Sequence, residues 1–490
     1  MSLHELFHSC KTGDIQKVRS LVEDRDVDVN VRDKWDSIPL YYACLCGHRQ
    51  VVQYLLEHGA KCEANTFDGE RCVYGALTDD IRNLLRSYKA ISNRLMRRDQ
   101  FDEFLRKLLD SGAHADVVFD VHGEKFAAHR CILSARCPYF AELFHSKWQG
   151  RHTIDLRHKL MVPWAFQSIL QYLYTGRLET HLDFVEDCVR LARQCQLESL
   201  VSLMEDALKK TLDFQSTKVG VSVTTLVVEQ PPTSLSLQVE LGQLAEAALP
   251  PSFCSWVSGE LPFEQQLSQP FADVAFDVEG HRFLCHKVFV CERSDYFQAL
   301  LEDHFGEATS SSTHTHTMDS DNDSENDNIP VIALKDISAH VFYRVLTYIY
   351  QDSCELTEDT THDVLCAADI YLLPGLKRLC GLALARMTGV DTVVWMVRAA
   401  RLFSLPRLEA SCFEFIANNL PEVVEQQEFA NLVLEDAEQV KGRQETDSID
   451  IIDEIRFYVA NVVNCVSDLQ DADHKLRLID ALLEDLGLDG

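Results

Sequence analysis

Long apolar runs, excess positive charge and closely paired cysteines are all scarce in this 490-residue chain. No uninterrupted apolar stretch approaches the ~18–20 residues that a bilayer-crossing helix needs. Lys and Arg total 46 against 77 Asp and Glu, a formal net charge of −31. A nucleic-acid binder normally carries a basic stripe that neutralises phosphates, and none is visible, so protein partners are the better expectation. The 17 cysteines are odd in number and never form Cys-x-x-Cys. The nearest pair, Cys44 and Cys46, has a spacing that suits no ordinary zinc site. They read as reduced, mostly buried thiols of an intracellular protein. The opening MSLHELFHSC puts charged and polar residues where a secretion signal would have an apolar core. The expected location is the cytoplasm, with the nucleus left open.

Hydrophobic residues make up 46% and charged residues 25%, the balance of ordinary globular protein. The length suggests roughly three or four domains. Internal repetition organises them. Ala115–Phe140 and Ala272–Phe297 align without a gap and agree at 12 of 26 positions, an offset of 157 residues. Further on, WAFQSILQYLYTG (164–176) and VFYRVLTYIY (341–350) match at an offset of 176, which locates a 19-residue net insertion between Phe297 and Phe342. The insertion contains ATSSSTHTHTMDSDNDSENDN (308–328), a polar, acidic run without apolar period that reads as a disordered loop.

A second period of about 33–35 residues occupies the N-terminus, where KTGDIQKVRSLVEDRDVDVN (11–30) is echoed by LCGHRQVVQYLLEHGAKCEAN (45–65). Pro39 suits a first helical turn, Gly47 a helix end, and Val52, Leu55 and Leu56 line one helix face. This segment resembles the ankyrin repeat, with two repeats and a truncated third over 1–80. A helical extension over 81–112 is expected to cap it, its helix spanning 86–110. The basic cluster Arg94, Arg97 and Arg98 reads as a solvated face.

In each long copy, apolar residues alternate around a turn at His122-Gly123 or its counterpart, which argues a β-hairpin followed by helices. Asp116 precedes His129, and Asp273 precedes His286, by 13 residues. With the Tyr-Phe pairs and the Tyr-Leu-Tyr-Thr-Gly helix end, this resembles the BTB/POZ domain. The modules are expected over 113–210 and 269–385, joined by a linker over 211–268 with one strand in VSVTTLVV. The helical periodicity of 386–490 resembles the BACK region that often follows BTB modules. The fold class is therefore α+β multidomain: an all-α ankyrin stack, two α/β BTB/POZ modules and a helical C-terminal region. The arrangement resembles the ankyrin-repeat and BTB/POZ domain-containing protein 1 family.

An Asp–His pair invites a catalytic reading, but a base needs a nucleophile or metal beside it and no such motif accompanies either copy. A structural role is expected, with no catalytic residue, cofactor or metal. The acidic run fails as a calcium loop: its sixth position is Ser324 rather than Gly and its twelfth Pro330 rather than Glu. His314 and His316 are too few for a metal site. Ser320 and Ser324, each with Asp three residues downstream, are candidate phosphorylation sites beside the plainer reading of a solvated spacer.

The BTB resemblance implies further candidates. Asp116 with Arg130, and Asp273 with Lys287, match charged-pocket positions near the family's dimer interface. BTB proteins that recruit the Cullin-3 scaffold carry a hydrophobic-x-Glu element whose hydrophobic residue lies nine positions after the Tyr. The second copy has Phe305-Gly306-Glu307 there; the first has Trp148-Gln149-Gly150, without the acid. The implied function is a non-enzymatic adaptor of a Cullin-3 ubiquitin ligase, with the ankyrin surface holding a substrate. BTB modules would associate between chains or pair within one. The alternative is a cullin-independent scaffold or regulator of signalling, translation or transcription.

Overall fold

The computed structural model describes residues 2–23, 27–60, 62, 66–87, 100–217, 223–230, 236–250, 271–308, 329–440, 449–461 and 466–488. The chain forms two compact units. The first comprises Met1–Pro251, Pro262–Val274 and Leu284–Val288; the second comprises Ser252–Leu261, Ala275–Phe283 and Phe289–Gly490.

Six helices open the first unit: α1 (Ser2–Thr12), α2 (Ile15–Glu23), α3 (Pro39–Cys46), α4 (Arg49–Glu57), α5 (Phe67–Gly75) and α6 (Asp79–Ser87). Pro39 sits in the first turn of α3, and Gly47 ends that helix at φ +81°, a left-handed conformation that a Cβ would disfavour. Val52, Leu55 and Leu56 are buried in one core with Leu6, Leu21, Leu40 and Ile81. The periodicity thus places the ankyrin core correctly.

Only the two ends of the helix expected across 86–110 fall among the described residues. Helix α6 ends at Ser87 and α7 spans Gln100–Ser111; Arg94, Arg97 and Arg98 lie outside the described residues. Phe101, Leu105 and Leu108 of α7 are buried, and α7 packs on a helix of the next module. The cause is its apolar stripe at i, i+4 and i+7, which needs a partner face.

The first BTB-like module follows. Strands β1 (Val117–Val121) and β2 (Glu124–Ala128) form an antiparallel hairpin. His122 at φ 54° and Gly123 at φ 96° supply the two left-handed turn residues, and the Gly123 N–H donates to Asp120 at 2.8 Å. Helices α8 (Arg130–Arg136) and α9 (Pro138–His145) lead to β3 (Thr153–Leu156), which pairs parallel with β1 to give the order β2-β1-β3. Helix α10 (Pro163–Thr175) is the one that α7 packs against. Phe119 in the central strand is fully buried among Phe140, Phe144, Trp148 and Phe166. Strand β4 (Arg177–His181), α11 (Val185–Gln194) and α12 (Glu198–Thr217) complete the module.

Much of the stretch read as a linker is built into this unit. Strand β5 (Thr225–Glu229), overlapping the end of the expected β-like run, pairs antiparallel with β4 and buries Leu226 and Val228. Beyond it lies a helix the sequence reading did not anticipate, α13 (Ser236–Ala247).

The second module repeats the plan with β6 (Val274–Val278), β7 (His281–Cys285), α14 (Lys287–Arg293), α15 (Asp295–Ala308), β8 (Val331–Leu334), α16 (Ala339–Gln351), α17 (Thr361–Ile370) and α18 (Pro374–Arg386). Its sheet order is β7-β6-β8, with β8 parallel to β6. Phe276 packs between Phe297 and Phe342. The acidic insertion, with Ser320, Ser324, His314 and His316, lies outside the described residues.

The remaining helices are α19 (Val393–Leu402), α20 (Pro406–Asn418), α21 (Leu420–Val423), α22 (Gln427–Val440), α23 (Asp450–Asn461) and α24 (Val466–Asp485). Helix pair α19/α20 restates α17/α18. Both turns hold one left-handed non-glycine residue, Leu372 at φ 53° and Ser404 at φ 54°. Both close with the same backbone bond, Leu373 N–H to Ala368 O at 2.8 Å and Leu405 N–H to Ala400 O at 2.7 Å. The α11/α12 turn does likewise with Gln196 at φ 58° and Leu197 N–H to Ala192 O at 2.9 Å.

Candidate functional site

Asp116 and His129 do not form the pair that their spacing suggested; each is held by a different neighbour. The His129 ring is buried, with Nε2 2.7 Å from the Ala113 carbonyl and Nδ1 2.7 Å from the Tyr174 hydroxyl. A carbonyl can only accept, so Nε2 carries the proton and Nδ1 accepts from Tyr174. The Tyr174 oxygen in turn accepts the His129 backbone N–H at 2.9 Å. Burial lowers the His129 pKa from 6.5 to about 4 and raises the Tyr174 phenol well above its ordinary value. Every polar atom of the imidazole is thus engaged, and the group is a neutral bolt between the β2–α8 junction and α10.

Asp116 accepts the backbone N–H of Arg130 at 2.8 Å, and Asp273 accepts that of Lys287 at 2.7 Å. Each aspartate therefore caps the helix that follows its hairpin, a use of carboxylate favoured by the helix dipole. The charged-pocket residues meet through the backbone. The Arg130 side chain instead donates to the Arg151 carbonyl at 2.6 Å and lies 5.7 Å from the Phe144 ring centroid. Dehydration raises both carboxyls above the ordinary value, and Asp116 raises Asp273 further. The two acids, 157 positions apart in sequence, both belong to the first unit.

Of the cullin-contact candidates, Trp148 is buried on Phe119, Phe140 and Phe144, so its indole belongs to the core and is not a surface anchor. Helix α15 runs through Phe305 and Glu307, but their side chains lie outside the described residues.

The ankyrin segment offers a shaped surface. Asp33 Oδ1 accepts from the Trp35 and Ser37 N–H groups at 2.8 and 3.0 Å, and Oδ2 accepts from the Tyr42 hydroxyl at 2.6 Å. The loop so fixed holds Trp35 out, 66% exposed, and Leu45 and Leu77 are also exposed. Part of this stack is already engaged: Phe67 and Tyr74 of α5 meet Phe214 of α12, and Lys210 bridges Asp36 at 3.0 Å. The cysteines of the described residues are all buried or half-buried. No group of three or more His, Cys, Asp or Glu suited to a metal occurs among the described residues. No helix there is long and apolar enough to cross a membrane.

The BTB/POZ domain model matches residues 105–212 and 263–388, and the model for ankyrin repeats in three copies matches 5–68. The BTB/POZ domain-containing protein 3 of Schizosaccharomyces pombe is 30% identical over 99% of this chain and 89% of its own length. The chain belongs to the ankyrin-repeat BTB/POZ family. An ankyrin repeat-containing protein of Saccharomyces cerevisiae is 27% identical over 94% of this chain and 89% of that protein. The mouse inhibitor of Bruton tyrosine kinase is 22% identical over 73% of this chain, which spans 29% of that protein. The solved BTB domain of human gigaxonin is 28% identical over 22% of this chain and 75% of that one, with a TM-score of 0.17. Ankyrin repeats and BTB/POZ domains are protein-interaction modules, and this member of the family is a protein-interaction adaptor.

Proposed function

We propose that the adaptor is a substrate-recognition subunit of a Cullin-3 ubiquitin ligase, acting in the cytoplasm. The observation that carries the reading is Phe305-Gly306-Glu307, nine positions after Tyr296 of the second BTB/POZ domain and within α15. A hydrophobic residue that fills a pocket supplies most of such an interface's energy, while the neighbouring acid orients the partner. The first module lacks the acid and buries its aromatic. That supports a division in which the second module meets the cullin and Trp35, Leu45 and Leu77 of the ankyrin stack face a substrate. Proximity is what the adaptor would contribute to ubiquitin transfer.

The full chain is expected to co-purify with Cullin-3, and Phe305→Ala with Glu307→Lys to weaken binding by roughly 30-fold, the scale of one interface hot spot. Binding undiminished in the double variant would remove the proposed contact. Failure of the intact chain to bind would favour the second reading, a cullin-independent scaffold or regulator; the relative named as a kinase inhibitor supports that reading.

A further inference from the structure

Helix α8 of the first BTB/POZ module carries a buried face, Cys131, Ile132, Leu133 and Arg136. Helix α13, which precedes the second module's strands, packs against it. On α13, Leu241 and Ala245 are fully buried and Leu244 nearly so. The Arg136 guanidinium, itself buried, donates to the Leu173 carbonyl at 2.9 Å and forms an ion pair with Glu240 of α13. Just past α13, the Ala248 carbonyl accepts the Leu284 N–H of β7 at 3.3 Å. The Phe271 ring lies 5.9 Å from Phe144, with the Arg130 guanidinium 5.9 Å from its centroid. All of these residues belong to the first unit.

Two features distinguish this from a linker lying on a surface. The contact is an apolar helix face with an ion pair at its edge, Arg136 buried and the Glu240 side chain 35% exposed, the anatomy of an apolar interface core with a polar rim. It also joins three sequence-separated pieces: α13 on α8, Phe271 on Arg130 and Phe144, and the end of β7 on Ala248 just past α13. We propose that the α8 face of the first module is an association surface filled within the chain by the segments that lead into the second module, and so withheld from a second copy of the protein.

Hydrogen exchange on the full chain tests this. Protection of the amides in 130–136 is expected to stay constant over a 100-fold dilution, and Leu241→Asp with Leu244→Asp to raise their exchange at least 10-fold while 163–175 stays protected. Protection that falls on dilution would overturn the proposal, because the face would then be covered by another copy. Unchanged exchange in the variant would overturn it as well. If 163–175 also loses protection, the variant has unfolded and the dilution series on the unaltered chain decides. Neither result depends on Cullin-3.

Discussion

Replacing Arg401 by Met is expected to destabilise the second unit by about 3–5 kcal/mol, the usual cost of stranding a buried charge. Arg401 of α19 donates from Nη1 and Nη2 to the two carboxylate oxygens of Asp436 on α22, at 2.5 and 2.9 Å, and from Nε to Glu409 of α20 at 2.7 Å. Asp436 is only 6% exposed. The Asp436 hydrogen bond is the largest cause holding the Arg401 pKa above its ordinary value. Met keeps the apolar stem and removes the fork, so the loss falls on the carboxylate left behind. Changing Asp436 to Leu in the same chain removes that stranded charge and is expected to restore most of the stability. Denaturant midpoints with hydrogen exchange of 393–418 read both outcomes, and a single variant within about 1 kcal/mol of the parent contradicts the account.

The first unit is expected to lose about 3 kcal/mol through His129 as the pH falls from 6.5 to 4. The folded pKa of about 4 lies below the unfolded value of 6.5, so between these limits the unfolded chain binds a proton that the folded chain refuses. This stability is fully present above pH 6.5 and lost progressively toward pH 4. Asp116 and Asp273 have the opposite sign: their folded values are raised, so ionising them costs stability that returns as they protonate in acid. They offset part of the loss at the acid end. Urea titrations at pH 7 and 4.5 should show a steep decline for the parent and a shallower one for His129→Gln; equal slopes would assign the acid sensitivity elsewhere. Tyr174→Phe strands the His129 N–H and Nδ1 and is expected to cost about 2–3 kcal/mol at pH 7.

What was legible in the sequence was what short range encodes. The His122-Gly123 turn announces itself because two left-handed residues must follow an alternating strand, and Val52, Leu55 and Leu56 name their own helix face. The duplicated stretch exposed Asp116 and Asp273 together. The resemblance paired them with Arg130 and Lys287, but the contact through the backbone was not legible, because a carboxylate bound to a backbone N–H leaves no mark on the identity of the donating residue. Tyr174 lies 45 positions from His129, and only the fold brings them together. Helix α13 was missed because SLQVELGQLAEA sits among proline-rich and polar flanks and buries its apolar side on a surface defined elsewhere. The α17/α18 and α19/α20 pairs do share a signal, AADIYLLPGL and AARLFSLPRL, which a search at short offset within the C-terminal third would have found.

The division of the chain also sets an order of events during synthesis. The first unit begins at the N-terminus yet draws in residues as late as Val288. At ~5–20 residues per second, a ribosome takes roughly 2–7 s to advance from Pro251 to Val288. Over that interval the nascent chain has α13 in hand and only stepwise gains Phe271 and then the Leu284 N–H that complete the assembly. A product truncated near residue 251 would therefore carry every ankyrin helix and the whole first sheet, and still present to the quality-control machinery an unfinished domain.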